Sequence, residues 1–361
     1  MKFLTLFLSV LVLFACTNEP SAIDMPWDYP KDCCMHPEMQ ITFVKTQISE
    51  ENEPYYSAFL QLIYYADLAL NISSNVPTDY YVPGAYDDYA NHVIDSKPLQ
   101  DDAFNAYCTA LAYTLTKEEK YGLKACYFLD AWAIQNKSYS GHDGSLCMCY
   151  SGSGLLIAAE LMKESEIWSQ KIQFKSWVEN VYQKAAKNNR TLENNWGDWG
   201  VFASLLAASF TENQAELLEN IRLLKSRFNN ISADGSIPAE VARGDNGIWY
   251  TYFALAPFTA SCWCIYNLTG ENLFQNSSLK KALDYLLYYT QNPKEWKWYN
   301  NPVQGSPNSW PGNLFEAMYG VYHDNNYLQY VKNYRPIIYP IHHFVWTFPT
   351  LMPLSIGQYE N

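Results

Sequence analysis

Apolar residues recur every three or four positions along most of the chain after about residue 50, and this spacing predicts amphipathic helices. In "LQDDAFNAYCTALAYTLT" the apolar positions 99, 103, 106, 107, 110 and 111 fall on one helical stripe. Comparable stretches follow, separated by short breaks that contain Asn, Gly, Pro, Lys and Glu. No strand-like alternation of similar length interrupts them. The pattern therefore predicts an all-α protein of antiparallel helical hairpins.

Some of these helices are apolar on nearly every side, as in "YTYFALAPFTASCWCIY" at residues 250–266. A helix of this kind needs apolar neighbours all round, which predicts an inner ring of helices wrapped by an outer ring. The resulting architecture is an incomplete α/α barrel, or α/α toroid, extending over residues 46–361. No exact short repeat is present, which argues against a solenoid.

The N-terminal stretch "MKFLTLFLSVLVLFAC" has the features of a secretory signal: one Lys, an apolar run too short to span a bilayer, then a small residue and Cys16. Its ending resembles a bacterial lipobox, in which Cys16 is lipidated and becomes the mature N-terminus. We therefore expect a lipoprotein signal at residues 1–16 and a polar tether at 17–45. The expected location is the bacterial outer membrane, reached only through this lipid anchor, or the periplasm if the signal is an ordinary cleaved one.

Composition narrows the possible partners. The net charge is −13 and no basic run is visible, so nucleic acid is not an expected partner. Aromatic residues make up 16% of the chain, with 30 Tyr and 12 Trp against only 17% charged residues. Such side chains suit packed helices, and their flat faces also suit sugar rings.

Eight cysteines follow Cys16, and an exported protein can form disulfides. However, "CMC" and "CWC" lie in predicted helices, where residues two apart point in different directions. We expect most of these cysteines to be small buried residues, and the alternative of one or two disulfide bridges stays open. No Cys/His spacing typical of zinc is present, so no metal and no cofactor are expected.

Two segments carry candidate chemistry. "NNWGDWG", residues 194–200, precedes an apolar helix and is either an elaborate helix start or the floor of a site. In "DGSIPAEVARGDNGIWYTYFALAP", residues 234–257, Arg243 lies in a Gly-rich break and Tyr250 in the first turn of the next helix. Side chains at helix ends can enter a cavity; the alternative is a surface Arg and a core Tyr.

Together these motifs resemble the alginate lyase domain family of polysaccharide lyases. The family pattern is Asn-Asn-His-Gly, later an Arg-Gly preceded by an acidic residue, then a Tyr seven positions after the Arg. The resemblance extends to "PGAYDDY", "LQDDAFNAYCTALAY", "YGLKACYFLDAWA", "YSGSGLLIAAELM", "NLFEAMYGVYHD" and "HHFVWTFPTL", which cover most of the chain after the tether. It implies an α/α toroid and β-elimination on uronic-acid polymers, with no metal or cofactor required.

The resemblance also implies roles for three residues. Asn195 and Arg243 would neutralise the uronate carboxylate, which makes the C5 proton easier to remove. Tyr250 would act as both general base and general acid. Because a free Tyr has a pKa of about 10, Arg243 would have to lower the pKa of Tyr250.

The chain departs from the family pattern at Trp196, which stands where the family has His. An indole does not exchange protons, so we considered His142, His342 and His343 as replacements. Poly-mannuronate and glucuronan both remain candidate substrates. The expected substrate-binding residues, each with burial in the core as the alternative, are Asn194, Trp196, Trp199, Tyr252, Gln100, Tyr86, Tyr150, His142 and His343. Gln100, with the two aspartates after it, is also typical of a helix start, and "PGAYDDYANH" resembles a lid or rim loop.

Two other functions stay open at this point. A glycoside hydrolase on the same toroid needs two carboxylates across a scissile bond, for which Asp88, Asp102, Asp143 and Asp198 are candidates. A non-catalytic glycan-binding protein is compatible with the missing His.

Overall fold

The computed structural model describes residues 33–356, and most of this part of the chain is helical. The short breaks predicted from sequence are where the helices end. In chain order the helices are α1 Glu38–Ser49, α2 Tyr55–Ala69, α3 Tyr89–Thr116, α4 Glu119–Gln135, α5 Gly144–Met162, α6 Lys171–Trp177, α7 Gln183–Asn189, α8 Asn195–Thr211, α9 Gln214–Arg227, α10 Pro238–Val241, α11 Gly247–Thr269, α12 Ser277–Gln291, α13 Gly312–Tyr322 and α14 Asn325–Val331.

Burial divides the helices into inner and outer ones. α5, α8 and α11 are buried on nearly every side, and α8 packs between the other two. Outer helices bury one stripe: α12 does so at positions 279, 282, 283, 286 and 287. Inner helices paired with outer ones form an α/α toroid, so the fold predicted from the hydrophobic pattern is confirmed.

One described helix, α5, is long and apolar enough to cross a membrane by length and composition. Its most apolar window is 89% buried inside the fold, as expected of a core helix of a toroid. Its "CMC" cysteines are buried and free, as are the other six cysteines at positions 33–356.

The segment expected to be a tether proves to be part of the fold from residue 33. Cys33 to His36 are buried, and α1 begins at Glu38. Trp263 Nε1 donates to the carbonyl of Met35 at 3.1 Å, and Asn267 Nδ2 donates to that of Cys34 at 2.6 Å. The boundary at residue 45 was therefore wrong, because α11 covers this segment. Cys16, the signal and the first half of the tether lie outside the described residues.

α3 begins ten residues earlier than the hydrophobic stripe suggests. Asp88 caps it by accepting from the backbone N–H of Asn91, and Pro98 is accommodated inside it. Gln100 is therefore in the middle of a helix, so its interpretation as part of a helix start was wrong. The extra turns bring the N-terminal end of α3 to the mouth of a cavity.

Two short parallel strands hold the loops beside that cavity together. β1 Asp79–Tyr81 pairs with β2 Ser138–Ser140. Gly141 follows β2 with φ 82°, and a Cβ at this position would overlap the carbonyl of Val82. This close approach, which only glycine allows, places His142 and Asp143 against the loop that carries Tyr86.

Candidate functional site

A cavity of about 910 Å³ opens among the loop before α3, the N-terminal ends of α5, α8 and α11, and the segment near residue 340. Its size lies in the upper range of typical ligand sites. Eight of the expected catalytic and substrate-binding residues line it: Tyr86, Gln100, His142, Tyr150, Asn195, Trp196, Arg243 and Tyr250.

Three of these form a cluster of hydrogen bonds, which we call the cavity cluster: Tyr250, Arg243 and Tyr86. Arg243 Nη2 donates to the Tyr250 hydroxyl at 3.1 Å and to the Tyr86 hydroxyl at 2.7 Å. The two hydroxyls lie 2.7 Å apart, and the guanidinium carbon is 4.0 Å from the centre of the Tyr250 ring. The seven-residue spacing brings the two side chains together, because Arg243 ends the turn after α10 and Tyr250 lies in the first turn of α11.

The pKa of Tyr250 is raised rather than lowered in this arrangement. Burial is the main cause, and the hydrogen bond with Tyr86 raises the pKa further. The charge of Arg243 acts in the predicted direction but does not outweigh them. Tyr250 is therefore a neutral phenol in the resting site, and the expected net lowering was wrong.

Asn195 is held in the cavity wall by a residue that sequence reasoning left without a role. Glu240, on α10, accepts from the backbone N–H and from Nδ2 of Asn195, both at 2.7 Å. Burial raises the pKa of Glu240 to about 7. Asn195 Oδ1 is buried and has no hydrogen-bond partner in the described chain. The amide therefore keeps one N–H and its oxygen available for further hydrogen bonds.

"NNWGDWG" is both a helix start and a cavity wall. Asn194 caps α8 by accepting from the backbone N–H of Trp196 at 3.1 Å, so it serves the helix and is not among the lining residues. A Cβ at Gly197 would overlap the carbonyl of Leu192, and one at Gly200 would overlap the backbone of residue 190. Both glycines therefore allow neighbouring backbone to pack closely against the start of α8. This packing places Trp196 at the cavity.

Three predicted substrate contacts are core residues instead. Trp199, Tyr252 and His343 are each fully buried and do not line the cavity. The Tyr252 hydroxyl is 3.1 Å from His343 Nε2 and accepts from Asn313 Nδ2 at 3.0 Å. Burial lowers the pKa of His343 well below its usual value. These predictions were wrong because the residues face the inside of the helical ring.

His342 lines the cavity, whereas His343, which was expected to do so, does not. Its φ of 73° lies in the left-handed region, which non-glycine residues rarely adopt. Its ring stacks on Tyr150 at 4.3 Å. Burial lowers its pKa to about 3, so it is a neutral imidazole.

Sequence reasoning missed several lining residues. Trp249 and Trp310 meet edge to face at 4.9 Å, while His92 and Tyr339 were not singled out. Trp249 was within reach of the helical pattern, because it precedes Tyr250 and lies one turn before Phe253, which also lines the cavity. His92 lies at the end of the predicted rim stretch "PGAYDDYANH", while Trp310 and Tyr339 come from segments distant in sequence and carried no local signal.

The aspartates proposed for a hydrolase do not form a pair in the cavity. Asp88 caps α3, Asp102 accepts from Trp132 Nε1 at 2.9 Å, and Asp198 pairs with Arg227 at 3.1 Å. Of these four, Asp143 alone lines the cavity. Within residues 33–356, no group of three or more His, Cys, Asp or Glu side chains is placed to hold a metal ion.

Comparison with solved structures finds the same fold in alginate lyases. An alginate lyase from Bacteroides ovatus has a TM-score of 0.70 at 19% identity, over 89% of this chain and 98% of that one. Alginate lyase A1-III from Sphingomonas species A1 has a TM-score of 0.66 at 15% identity, over 91% and 97%. A tyrosine-to-phenylalanine variant of A1-III complexed with a tetrasaccharide has a TM-score of 0.68 at 16% identity, over 91% and 99%.

At these identities the solved structures establish the fold alone, and comparison with curated proteins gives no match. The family evidence comes from the sequence model for alginate lyase, which matches residues 60–296. This match covers more than half of the chain and includes Asn195, Arg243 and Tyr250. The chain therefore belongs to the alginate lyase family and is a polysaccharide lyase.

Proposed function

We propose that the cavity binds a polymer of uronic acid and cleaves it by β-elimination, with Tyr250 exchanging the protons. The observation that carries this proposal is the cavity cluster: a phenol hydroxyl within hydrogen-bond distance of a permanent cation, in a cavity lined by aromatic rings. Poly-mannuronate and glucuronan are the two substrates that we consider.

The reaction makes three demands on the site. The charge of the substrate carboxylate must be neutralised so that the C5 proton becomes acidic, a base must take that proton, and an acid must protonate the leaving O4. Electrons of the C5–H bond form the C4=C5 double bond as the C4–O4 bond breaks. No water is consumed.

We assign the first demand to Arg243 and Asn195. Arg243 has guanidinium N–H groups besides the donor used in the cavity cluster, and a guanidinium forms strong paired hydrogen bonds with a carboxylate. Asn195 is locked in one orientation by Glu240, with one amide hydrogen left over. Because these donors are fixed before the substrate arrives, they lose little entropy when charge develops.

Tyr250 meets the other two demands in sequence. In the resting site its proton is held by burial and by the contact with Tyr86. A substrate that displaces Tyr86 removes one of these effects and leaves the lowering influence of Arg243. Once Tyr250 has released its own proton to solvent, the phenolate takes the C5 proton and returns that proton to O4, so one residue completes the cycle.

The aromatic residues are suited to hold the sugar rings. Trp196 meets the ring of His142 edge to face at 5.8 Å, while Trp249 and Trp310 form a second aromatic wall. Rings of this kind offer apolar faces with polar edges. Trp196 replaces the family His, and we propose that this position governs which uronate is accepted.

A substrate screen tests the activity. The purified protein is incubated with poly-mannuronate, glucuronan and a neutral glycan, and ultraviolet absorbance and reducing ends are followed together. Elimination raises both signals with one of the polyuronates, since it leaves a conjugated double bond. Reducing ends alone indicate a hydrolase and contradict the proposal. The absence of both signals with every polymer indicates a binding protein and also contradicts it.

We further propose that the protein is exported and anchored through a lipid at Cys16. The support is the N-terminal sequence pattern alone. Metabolic labelling with a fatty acid should mark the wild-type protein and not a Cys16→Ala variant. Equal labelling of the two would rule out the anchor.

A further inference from the structure

His92 ends the stretch "PGAYDDYANH", lies at the start of α3 and lines the cavity. Its side chain is 12% exposed. Nδ1 lies 2.9 Å from the carbonyl oxygen of Pro83 and 3.3 Å from Asp143 Oδ2. A carbonyl accepts only, so Nδ1 carries a hydrogen. Nε2 has no hydrogen-bond partner among residues 33–356 and remains available to a ligand.

Asp143 holds this imidazole in place. The carboxylate side chain is 10% exposed and accepts from the backbone N–H of Ala85 at 2.9 Å, while His142 Nδ1 lies 2.6 Å from Oδ1. One carboxylate thus ties the loop that carries Tyr86, the turn before α5 and the start of α3 together. The position of the His92 ring is set by three separate segments.

The charge on the imidazole follows from the same contact. The hydrogen bond with Asp143 raises the pKa of His92 above its usual value, against the opposing effect of burial. Protonation adds a hydrogen to Nε2, so that each ring nitrogen carries one. A donor with a formal positive charge then lines the cavity together with the guanidinium of Arg243.

We propose that His92, protonated and held by Asp143, binds a carboxylate of the uronate substrate and provides the imidazole charge that the family pattern places at position 196. The assignment rests on the proposed function for the identity of the ligand. It deepens that proposal by adding a second cationic contact, distant in sequence from Arg243 and Asn195.

The other two histidines of the cavity are less suited to this role. His342 is neutral because burial lowers its pKa to about 3. His142 is 67% exposed at the rim, with one ring nitrogen bound to Asp143 and its ring against Trp196. The titratable groups that face His92 are thus Asp143 and His142 from the turn before α5 and His342 from the C-terminal segment.

Binding in a Tyr250→Phe background tests the proposal without turnover. Calorimetry measures the affinity for oligomannuronate and oligoglucuronate between pH 5 and pH 9. The raised pKa of His92 predicts that affinity falls as pH rises above 6.5, the ordinary value for histidine. Adding His92→Gln should weaken binding at pH 6 by about 10- to 100-fold, the range for a hydrogen bond to a charged group. It should also reduce the dependence on pH, leaving the part that comes from Glu240.

Three further measurements separate charge recognition from a structural role. His323→Gln, which changes a histidine outside the cavity, should leave affinity and its pH dependence unchanged. The methyl ester of the same oligosaccharide should bind with equal affinity whether or not the His92→Gln substitution is present, since an ester carries no charge for an imidazolium to meet. Asp143→Asn should move the pH transition lower, because the imidazolium loses its acceptor.

Three results would overturn the assignment: unchanged pH-dependent affinity in His92→Gln, equal weakening for the acid and its ester, or an unmoved transition in Asp143→Asn. Each is independent of the elimination assay. If the wild-type protein eliminates no polyuronate while binding keeps its dependence on His92, the proposed function fails and this site stands. If the protein eliminates polyuronate and His92→Gln does not change binding, the assignment of His92 fails and the proposed function stands.

Discussion

Two tyrosines on the first turns of α11, Tyr250 and Tyr252, have similar partners and opposite environments. The cavity cluster joins Tyr250 to Arg243 and Tyr86. Tyr252 contacts His343 and Asn313, and we call these three the core cluster. Each tyrosine has a basic side chain within 3.1 Å of its hydroxyl.

The difference lies in charge and access. The guanidinium of Arg243 stays protonated in the cavity, whereas burial makes His343 a neutral imidazole. Tyr86, at the mouth, is 70% exposed, while Tyr252 is fully enclosed. Similar residue types therefore form a cluster that lines the cavity on one side of a helix and a cluster enclosed in the core on the other.

The largest expected effect separates these two tyrosines directly. Tyr250→Phe should reduce elimination by about 10³-fold, within the range for losing a positioned acid or base, and leave the free energy of unfolding nearly unchanged. The matched variant Tyr252→Phe should keep most of the activity and lower the free energy of unfolding by about 1–3 kcal/mol, because Asn313 and His343 lose a buried partner. Turnover rates and urea unfolding measure both; near-wild-type turnover in Tyr250→Phe would exclude its role.

Replacing Arg243 by Lys probes the charge of the cavity cluster. A lysine keeps the charge but not the planar set of donors, so activity should fall about 10²-fold, the typical cost of losing one transition-state donor. The stability of the core cluster should not change. Activity within about a factor of three of wild type would show that charge alone suffices at this position.

Tyr86→Phe should have a smaller effect on the rate of elimination. Its main effect should be on how that rate depends on pH. Its hydroxyl raises the pKa of Tyr250 in the resting site, so removal should shift the acidic limb of the kcat/KM profile to lower pH. The expected size is several-fold in rate at a fixed pH on that limb, equivalent to about one hydrogen bond. An unmoved limb would mean that this contact does not control the ionisation of Tyr250.

The last prediction concerns stability, which Glu240→Gln should change in a pH-dependent way. The pKa of Glu240 is raised from 4.5 to about 7 in the fold, so the folded state holds its proton more tightly than the unfolded chain. Stability from this group is present below pH 4.5 and is lost as pH rises towards 7.

The Glu240→Gln variant should therefore lose less stability between pH 4.5 and pH 7 in urea unfolding than the wild type does. Some loss remains, because burial also raises the pKa of Asp198 to about 6. An identical decline in the two proteins would show that Glu240 does not titrate in this range.

The helices and the pairing of Arg243 with Tyr250 were predictable because both depend on local spacing, whereas the contact of this pair with Tyr86 joins residues 157 positions apart. A stripe of period 3.6 identifies a helix whatever it packs against, and seven residues fix Tyr250 relative to Arg243. Their placement at a cavity followed from the break before α11, where Gly244 and Gly247 end one turn and start another.

The face of an all-apolar helix was not predictable. Tyr250 and Tyr252 lie in a helix that is apolar on every side, so the sequence alone did not show which of the two side chains faces solvent. His342 and His343 pose the same problem, and the left-handed φ that turns them apart has no sequence signal in this segment. The contact between His92 and Asp143 joins residues 51 positions apart and required the paired strands to be known.

The overlap that a side chain at Gly197 would create has a consequence for how this enzyme can change over time. Arg227 and the carbonyl of Leu192 occupy the space beside Gly197, and backbone occupies the space beside Gly200. These close contacts fix α8 against its neighbours at positions on either side of the cavity-lining Trp196. If position 196 governs the accepted sugar as proposed above, a lineage can change that sugar by exchanging one side chain while the scaffold that carries Asn195 is inherited intact.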